Sequence, residues 1–258
     1  MMANKVVVSG DKITAIADAI RTKTGNSDLM SLDDMPTQIE AIETGGDGEA
    51  LAQSILDKTI TAYSNEKLTA IPDYAFYKAD KLATVYLPNV TSIGIASFQL
   101  CRNFNPVRFP KCKSIGSSAF ANSSYVYSID FPVLETAGTG CFNSLIMITE
   151  VYLPELQAIP QTCFTWCTSL VTAEFLKITS IGANAFQHCS KLASLIIRTD
   201  SVCSLVNTNA FATSGVLNKT GYIYVPRNLV ESYKTATNWS AYADQIRAIE
   251  DYPEITRG

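Results

Sequence analysis

From residue 71 onward the chain repeats one hydrophobic pattern at a fixed interval. Phe76, Phe98, Phe120, Phe142, Phe164 and Phe186 lie 22 residues apart, and Phe211 follows at 25. A small residue precedes each: Ala75, Ser97, Ala119, Cys141, Cys163, Ala185 and Ala210. Five residues before the first six stand Ile71, Ile93, Ile115, Ala137, Ile159 and Ile181, usually followed by Gly or Pro. After each Phe comes apolar-x-x-apolar-x-apolar-x-x-apolar, as in Leu82, Val85, Leu87, Val90 and again in Phe104, Val107, Phe109, Cys112. The central alternation predicts a short strand with one buried face. Pro88, Pro110, Pro132 and Pro154 follow that strand and end its pairing. One such unit cannot bury its own apolar row, but coils stacked at roughly 4.8 Å per strand step can. The pattern therefore predicts a solenoid over residues 60–226 with parallel strands and a buried Phe column.

The L-x-x-L-x-L core joined to an I-G-x-x-A-F half resembles the BspA-type leucine-rich repeat of bacterial surface and phage-borne proteins. That resemblance implies an α/β fold class: a leucine-rich-repeat solenoid of 22-residue coils with one parallel strand per coil over residues 67–226. Residues 45–66 read as a Gly-rich linker and N-terminal cap, with a short helix at 50–55 and a capping strand at 59–63. Residues 227–258 read as a helical C-terminal cap, because Leu229, Tyr233, Trp239, Tyr242, Ile246 and Ile249 sit at spacings that suit one or two amphipathic helices. Residues 1–44 form a small helical module in which Ile13, Ile16, Ala17 and Ile20 share one face. This segment resembles a short module of structural proteins from phages of Gram-positive bacteria, which implies attachment to a particle. At its length it can scarcely support a core of its own.

Composition narrows the function. At 47% hydrophobic and 17% charged over 258 residues, the chain is not a disordered one. A net charge of -4 and no cluster of Lys and Arg argue against a nucleic-acid partner. Residues 1–66 hold 5 basic and 11 acidic side chains, leaving 15 and 13 for the rest, which fits two modules. No run of 18 apolar residues predicts membrane insertion, and the opening MMANKVVVSG lacks the apolar core of an export signal. Seven Cys is an odd number and favours reduced thiols. Cys141 and Cys163 occupy the small position before Phe, and Cys101, Cys167 and Cys189 lie three after it, which reads as buried packing rather than metal ligation. The single histidine, His188, has no nucleophile motif near it, so no catalytic residue, metal or cofactor is expected.

What remains is surface. The outward strand positions Tyr86, Arg108, Asp130, Tyr152, Glu174 and Ile196 form one column, with Thr84, Pro106, Ser128, Glu150, Thr172 and Ser194 beside it. Against this binding face stands a plain solvated sheet in which Arg108 and Asp130 pair with each other. The loops Thr165-Trp166 and Gln187-His188 are the next candidates. The expected function is a non-enzymatic, tail-associated phage or prophage structural protein of the virion displaying this surface. The alternative is a bacterial surface adhesin of the BspA-like family. Expected partners are a protein or cell-surface glycan ligand, and virion proteins through residues 1–44. Self-association stays open.

Overall fold

The computed structural model describes residues 59–255. The helical module at 1–44, the Gly-rich hinge, the helix at 50–55 and the last three residues lie outside the described residues. Within them the 22-residue unit is a coil, and residues one period apart lie side by side. The main strand line is β1 (Ala62–Ser64), β3 (Thr84–Tyr86), β5 (Val107–Arg108), β7 (Ile129–Asp130), β9 (Glu150–Tyr152), β10 (Thr172–Phe175), β12 (Ser194–Ile197), β14 (Tyr222–Val225) and β15 (Ile246–Ala248), paired as three parallel sheets, β1-β3, β5-β7 and β9-β10-β12-β14-β15. A second line holds β2 (Ala70–Ile71), β4 (Ser92–Ile93), β6 (Ser114–Ile115) and β8 (Thr136–Ala137) in one parallel sheet and β11 (Ser180–Ile181) with β13 (Ser204–Leu205) in another, with an isolated Ile159 to Ile181 bridge beside β11. Most coils thus carry two parallel strands, not the one expected. The pairing register is the sequence period itself, as in Ile93 with Ile115 and Ala173 with Leu195.

The α/β expectation also needs correction. Among the described residues the one α-helix is α1 (Val230–Thr235), and the side of each coil opposite the main strand is a chain of turns around Phe. There the chain bends at each Phe: for Phe76 through Phe186 the residues two before and two after adopt the left-handed conformation, as at Ser118 (φ 55) and Asn122 (φ 60). This bend aims alternate N–H groups along the stack. Phe76 N–H donates to Ser97 C=O at 2.7 Å and Lys78 N–H to Gln99 C=O at 2.8 Å, and later coils repeat the arrangement. Left-handed backbone costs a non-glycine residue on the order of 1 kcal/mol, which these inter-coil bonds offset.

The Phe side chains stack in a column through the interior. Successive ring centroids are 5.0 Å apart for Phe76 and Phe98, 5.6 Å for Phe142 and Phe164, and 5.7 Å for Phe186 and Phe211. Coils this close leave no room for a Cβ where backbones touch: one added at Gly116 would stand 2.5 Å from the Ile95 nitrogen, which explains the glycine after Ile. The cysteines pack in the same interior and also supply donors. Cys101, Cys167 and Cys189 direct their Sγ to the carbonyls of Phe76, Phe142 and Phe164 in the preceding coil, at 2.9, 3.3 and 3.0 Å. Ser123 does the same for Phe98 at 2.7 Å. A small donor is thus placed where a buried carbonyl requires one. All seven thiols are free and buried.

Both ends of the column are covered by aromatics. Tyr63 lies over Phe76 at 5.2 Å, and Tyr242 meets Phe211 edge-on at 5.1 Å beside Trp239. The C-terminal cap is less helical than its aromatic spacing suggests. After α1 and a 3-10 segment (Trp239–Gln245), β15 pairs parallel with β14, so Ile246 extends the sheet. Polar tips satisfy the last coil: Tyr233 Oη accepts the Cys203 N–H at 3.0 Å, and Trp239 Nε1 donates to the Cys203 carbonyl at 2.6 Å.

Two outcomes follow. Phe142→Ala opens a cavity between two stacked rings and should cost about 3–5 kcal/mol in denaturant unfolding; a midpoint near wild type would contradict the column. Burial pushes the thiols of Cys112, Cys189 and Cys203 up to about 12 from an ordinary 9.0. The unfolded chain therefore releases these protons first, so stability fully present below pH ~9 should fall as pH rises towards ~12. At neutral pH a thiol reagent should modify native protein slowly and all seven thiols after unfolding.

Candidate interaction surface

The strand face opposite the core presents the outward column in register, Arg108 beside Asp130 and Tyr152 beside Glu174. Its first half is open. Tyr86 is 56% exposed, and Arg108 Nε meets Asp130 Oδ2 at 2.9 Å with both side chains largely in solvent. That pair is the one expected of a solvated sheet, and such exposed pairs contribute roughly 0–1 kcal/mol. Tyr152 is half-buried.

The second half is closed, which corrects the reading of Glu174 and Ile196 as free surface. β10, β12 and β14 each bury residues on both faces, at Ala173 and Glu174, Leu195 and Ile196, Ile223 and Tyr224. Residues of a strand alternate between faces, so consecutive burial requires a second layer. That layer is the chain's own C-terminal segment: Ile249, Tyr252 and Ile255 pack with Ile196 and Tyr224 in a small separate core. Tyr252 meets Tyr224 edge-on at 5.2 Å. Arg227 anchors the segment, its guanidinium on Asp251 and its N–H on the Glu250 carboxylate. Glu174, 3% exposed, pairs with Arg198 at 2.6 Å.

Sequence reasoning missed an apolar ridge at the entry to the open strands. Tyr125 and Tyr127, Ile146 and Met147, and Val171 are all at least 40% exposed and come from three successive coils, Tyr125 and Met147 five residues after Phe and Tyr127 and Val171 seven after. Their signal was available as large apolar residues between the Phe and the strand, where other coils carry Lys81, Asn103 or Ser169. On the opposite, Phe-turn side Trp166 is 49% exposed and stacks on His188 with centroids 3.8 Å apart. His188 is thus a partly exposed residue in ring contact with Trp166. Among the described residues no three of His, Cys, Asp and Glu are grouped to hold a metal, and no helix is long and apolar enough to cross a membrane.

Stacked coils of two parallel ladders around an aromatic column define a repeat protein of the leucine-rich kind. Residues 91–218 match the family model for a BspA type leucine rich repeat region in six copies, so the chain carries a BspA-type repeat region. Among solved structures, a leucine rich repeat protein of T. pallidum shares 22% identity over 63% of this chain and 84% of its own, with a TM-score of 0.53. A leucine rich cell surface protein of Faecalibacterium prausnitzii shares 17% identity over 74% of this chain and 64% of its own, with a TM-score of 0.44. No curated protein matches the chain.

The two halves of the outward column should respond differently to a charge. Ile196→Asp places a carboxylate under the C-terminal segment and should cost more than about 2 kcal/mol, whereas Asp130→Ala should stay within about 0.5 kcal/mol. Equal effects in chemical denaturation would show that residues 249–255 do not cover the sheet.

Proposed function

We propose that this protein is a non-enzymatic bacterial surface protein that recognises a protein ligand through the open half of its strand face and the ridge beside it. The observation that carries this reading is the exposure of Tyr125, Tyr127, Ile146, Met147 and Val171 in the segments that lead into the main strands, whose outward positions carry Tyr86 and Tyr152. Contiguous exposed apolar surface with aromatic members marks a protein interaction site, because Tyr gives large contact area at low entropic cost. The Arg108 to Asp130 pair at the margin sets charge complementarity and makes association salt-sensitive. The BspA-type repeat region supports placement among surface proteins. The F. prausnitzii protein is itself described as a cell surface protein. The virion reading depends on residues 1–44, outside the described residues, and none of the comparisons supports it.

Two measurements test the proposal. Fractionation of the producing cells should find the protein in the envelope; recovery in purified virions instead would favour the tail role. Binding to host cells should fall at least about tenfold in a Tyr125→Ser, Tyr127→Ser, Met147→Ser variant and in a Tyr86→Ala, Arg108→Ala, Tyr152→Ala variant. Unchanged binding in both would move the ligand site off this face.

A further inference from the structure

The Phe-turn face differs from the strand face in its chemistry. From five residues before to four after each of Phe120, Phe142, Phe164, Phe186 and Phe211 there is no Asp, Glu, Lys or Arg. Around Trp166 the surface carries hydroxyls and amides such as Ser118, Asn122, Asn143, Gln161 and Gln187, with Ile146 and Val206 exposed at the margins of the windows. The coil of Phe76, by contrast, carries Asp73, Lys78 and Asp80 in this window. Into the neutral stretch the chain places one exposed indole, Trp166, two residues after Phe164.

The left-handed turn at that position (φ 63) directs the side chain out of the coil while the next residue, Cys167, returns to the core. His188 occupies the same position one coil on and stacks on Trp166 with an interplanar angle of 21°. Behind it Thr213 Oγ1 lies 2.6 Å from His188 Nδ1 and 2.6 Å from the Ala212 carbonyl. A hydroxyl has one proton, so both contacts are satisfied when His188 donates through Nδ1 and Thr213 donates to Ala212. In that tautomer Nε2 keeps its lone pair as an acceptor. One face of the indole is therefore backed by a braced imidazole. On the other side the equivalent position holds Ser144, hydrogen-bonded to Asn143 Oδ1 at 2.6 Å, and before it Asn122; neither is long enough to cover an indole.

We propose that this aromatic step binds a neutral pyranose of a surface glycan, independently of the protein ligand assigned to the strand face. A pyranose presents C–H groups on its faces and hydroxyls around its edge. The first match the open face of Trp166, and the second match the hydroxyl and amide floor formed by Ser144, Asn143 and Asn122 together with the acceptor on His188. A stacking nucleobase would bring phosphate, for which the windows from Phe120 to Phe211 hold no cation. A charged peptide would find no counter-charge.

Of the two tryptophans, Trp239 is 1% exposed and Trp166 is open, so emission reports on the proposed site. The full chain is titrated with gluco-, galacto- and manno-hexaoses bearing unmodified hydroxyls, with a sulfated glucan as the charged control. At least one neutral hexaose should bind with a Kd below about 1 mM by isothermal titration calorimetry, which also reads the variants that lack Trp166, and should shift the wild-type emission. Trp166→Ala should weaken that binding at least tenfold, and Trp166→Phe should retain part of it. Ser144→Trp, which repeats in one coil what the next already accommodates, should block the floor without touching Trp166. Circular dichroism and the thermal midpoint should stay at wild-type values in all three. The Tyr86→Ala, Arg108→Ala, Tyr152→Ala variant should bind the hexaose normally, which separates this site from the strand face. Absence of binding by every neutral probe, indifference to both Trp166→Ala and Ser144→Trp, loss in the strand-face variant, or binding of the sulfated glucan alone would each overturn the proposal.

Discussion

The rest of this structure depends on residues 22 positions apart lying in contact. The Phe column expresses that constraint in side chains, with adjacent rings 5.0–5.8 Å apart and nearly parallel. The backbone expresses it again, since N–H groups flanking each Phe donate to the next coil. Either would be weak alone: stacked rings slide, and exposed hydrogen bonds yield to water. Together they fix register, because a shift of one residue would turn the buried strand positions outward and put a side chain where Gly116 touches Ile95. Stability in such a stack is a sum over neighbours, so the ends carry a cost that interior coils do not. The caps meet it with Tyr and Trp, whose rings close the column while their polar tips pair the last coil's backbone.

Why some features could be read from the sequence and others not follows from the same constraint. Phe, Ile and the L-x-x-L-x-L row were legible because each position packs on its own equivalent, so the contact is written as a period. The second ladder was less legible, since its strands are two residues long and show no alternation. The strand at Ile246 was masked by aromatics at helical spacing; Trp239 and Tyr242 do sit on a helical segment, but a 3-10 one that ends at Gln245. The cysteines were placed correctly in the interior, yet their role as donors to Phe carbonyls depends on the turn geometry and has no sequence signature beyond Ser123 standing in for Cys.

Glu174 and Ile196 illustrate a different limit. The cover of Ile196 comes from residues 249–255, far outside the repeat, so no local rule announces it. A weak sign exists in Leu195-Ile196-Ile197, three apolar residues in succession where a half-exposed strand would alternate. Glu174 gives no such sign, being a charged residue that the fold makes tolerable by pairing it with Arg198. A period specifies which residues share a face; it does not specify what else in the chain will lie on that face.

This limit bears on where recognition can occur. The C-terminal segment closes the strand face over β12 and β14, and Glu174 on β10 is buried against Arg198, so a ligand of that face is confined to the coils before them, where Tyr86 and the Arg108 to Asp130 pair are exposed. The Phe-turn face is not closed at the same level, because Trp166 and His188 lie on the side of the coil away from the segment's small core. Two surfaces of one repeat therefore differ in charge, in apolar content and in position along the stack. Since the interior is identical in kind from coil to coil, those differences rest wholly on the outward residues, which can change without disturbing the column that holds them in place.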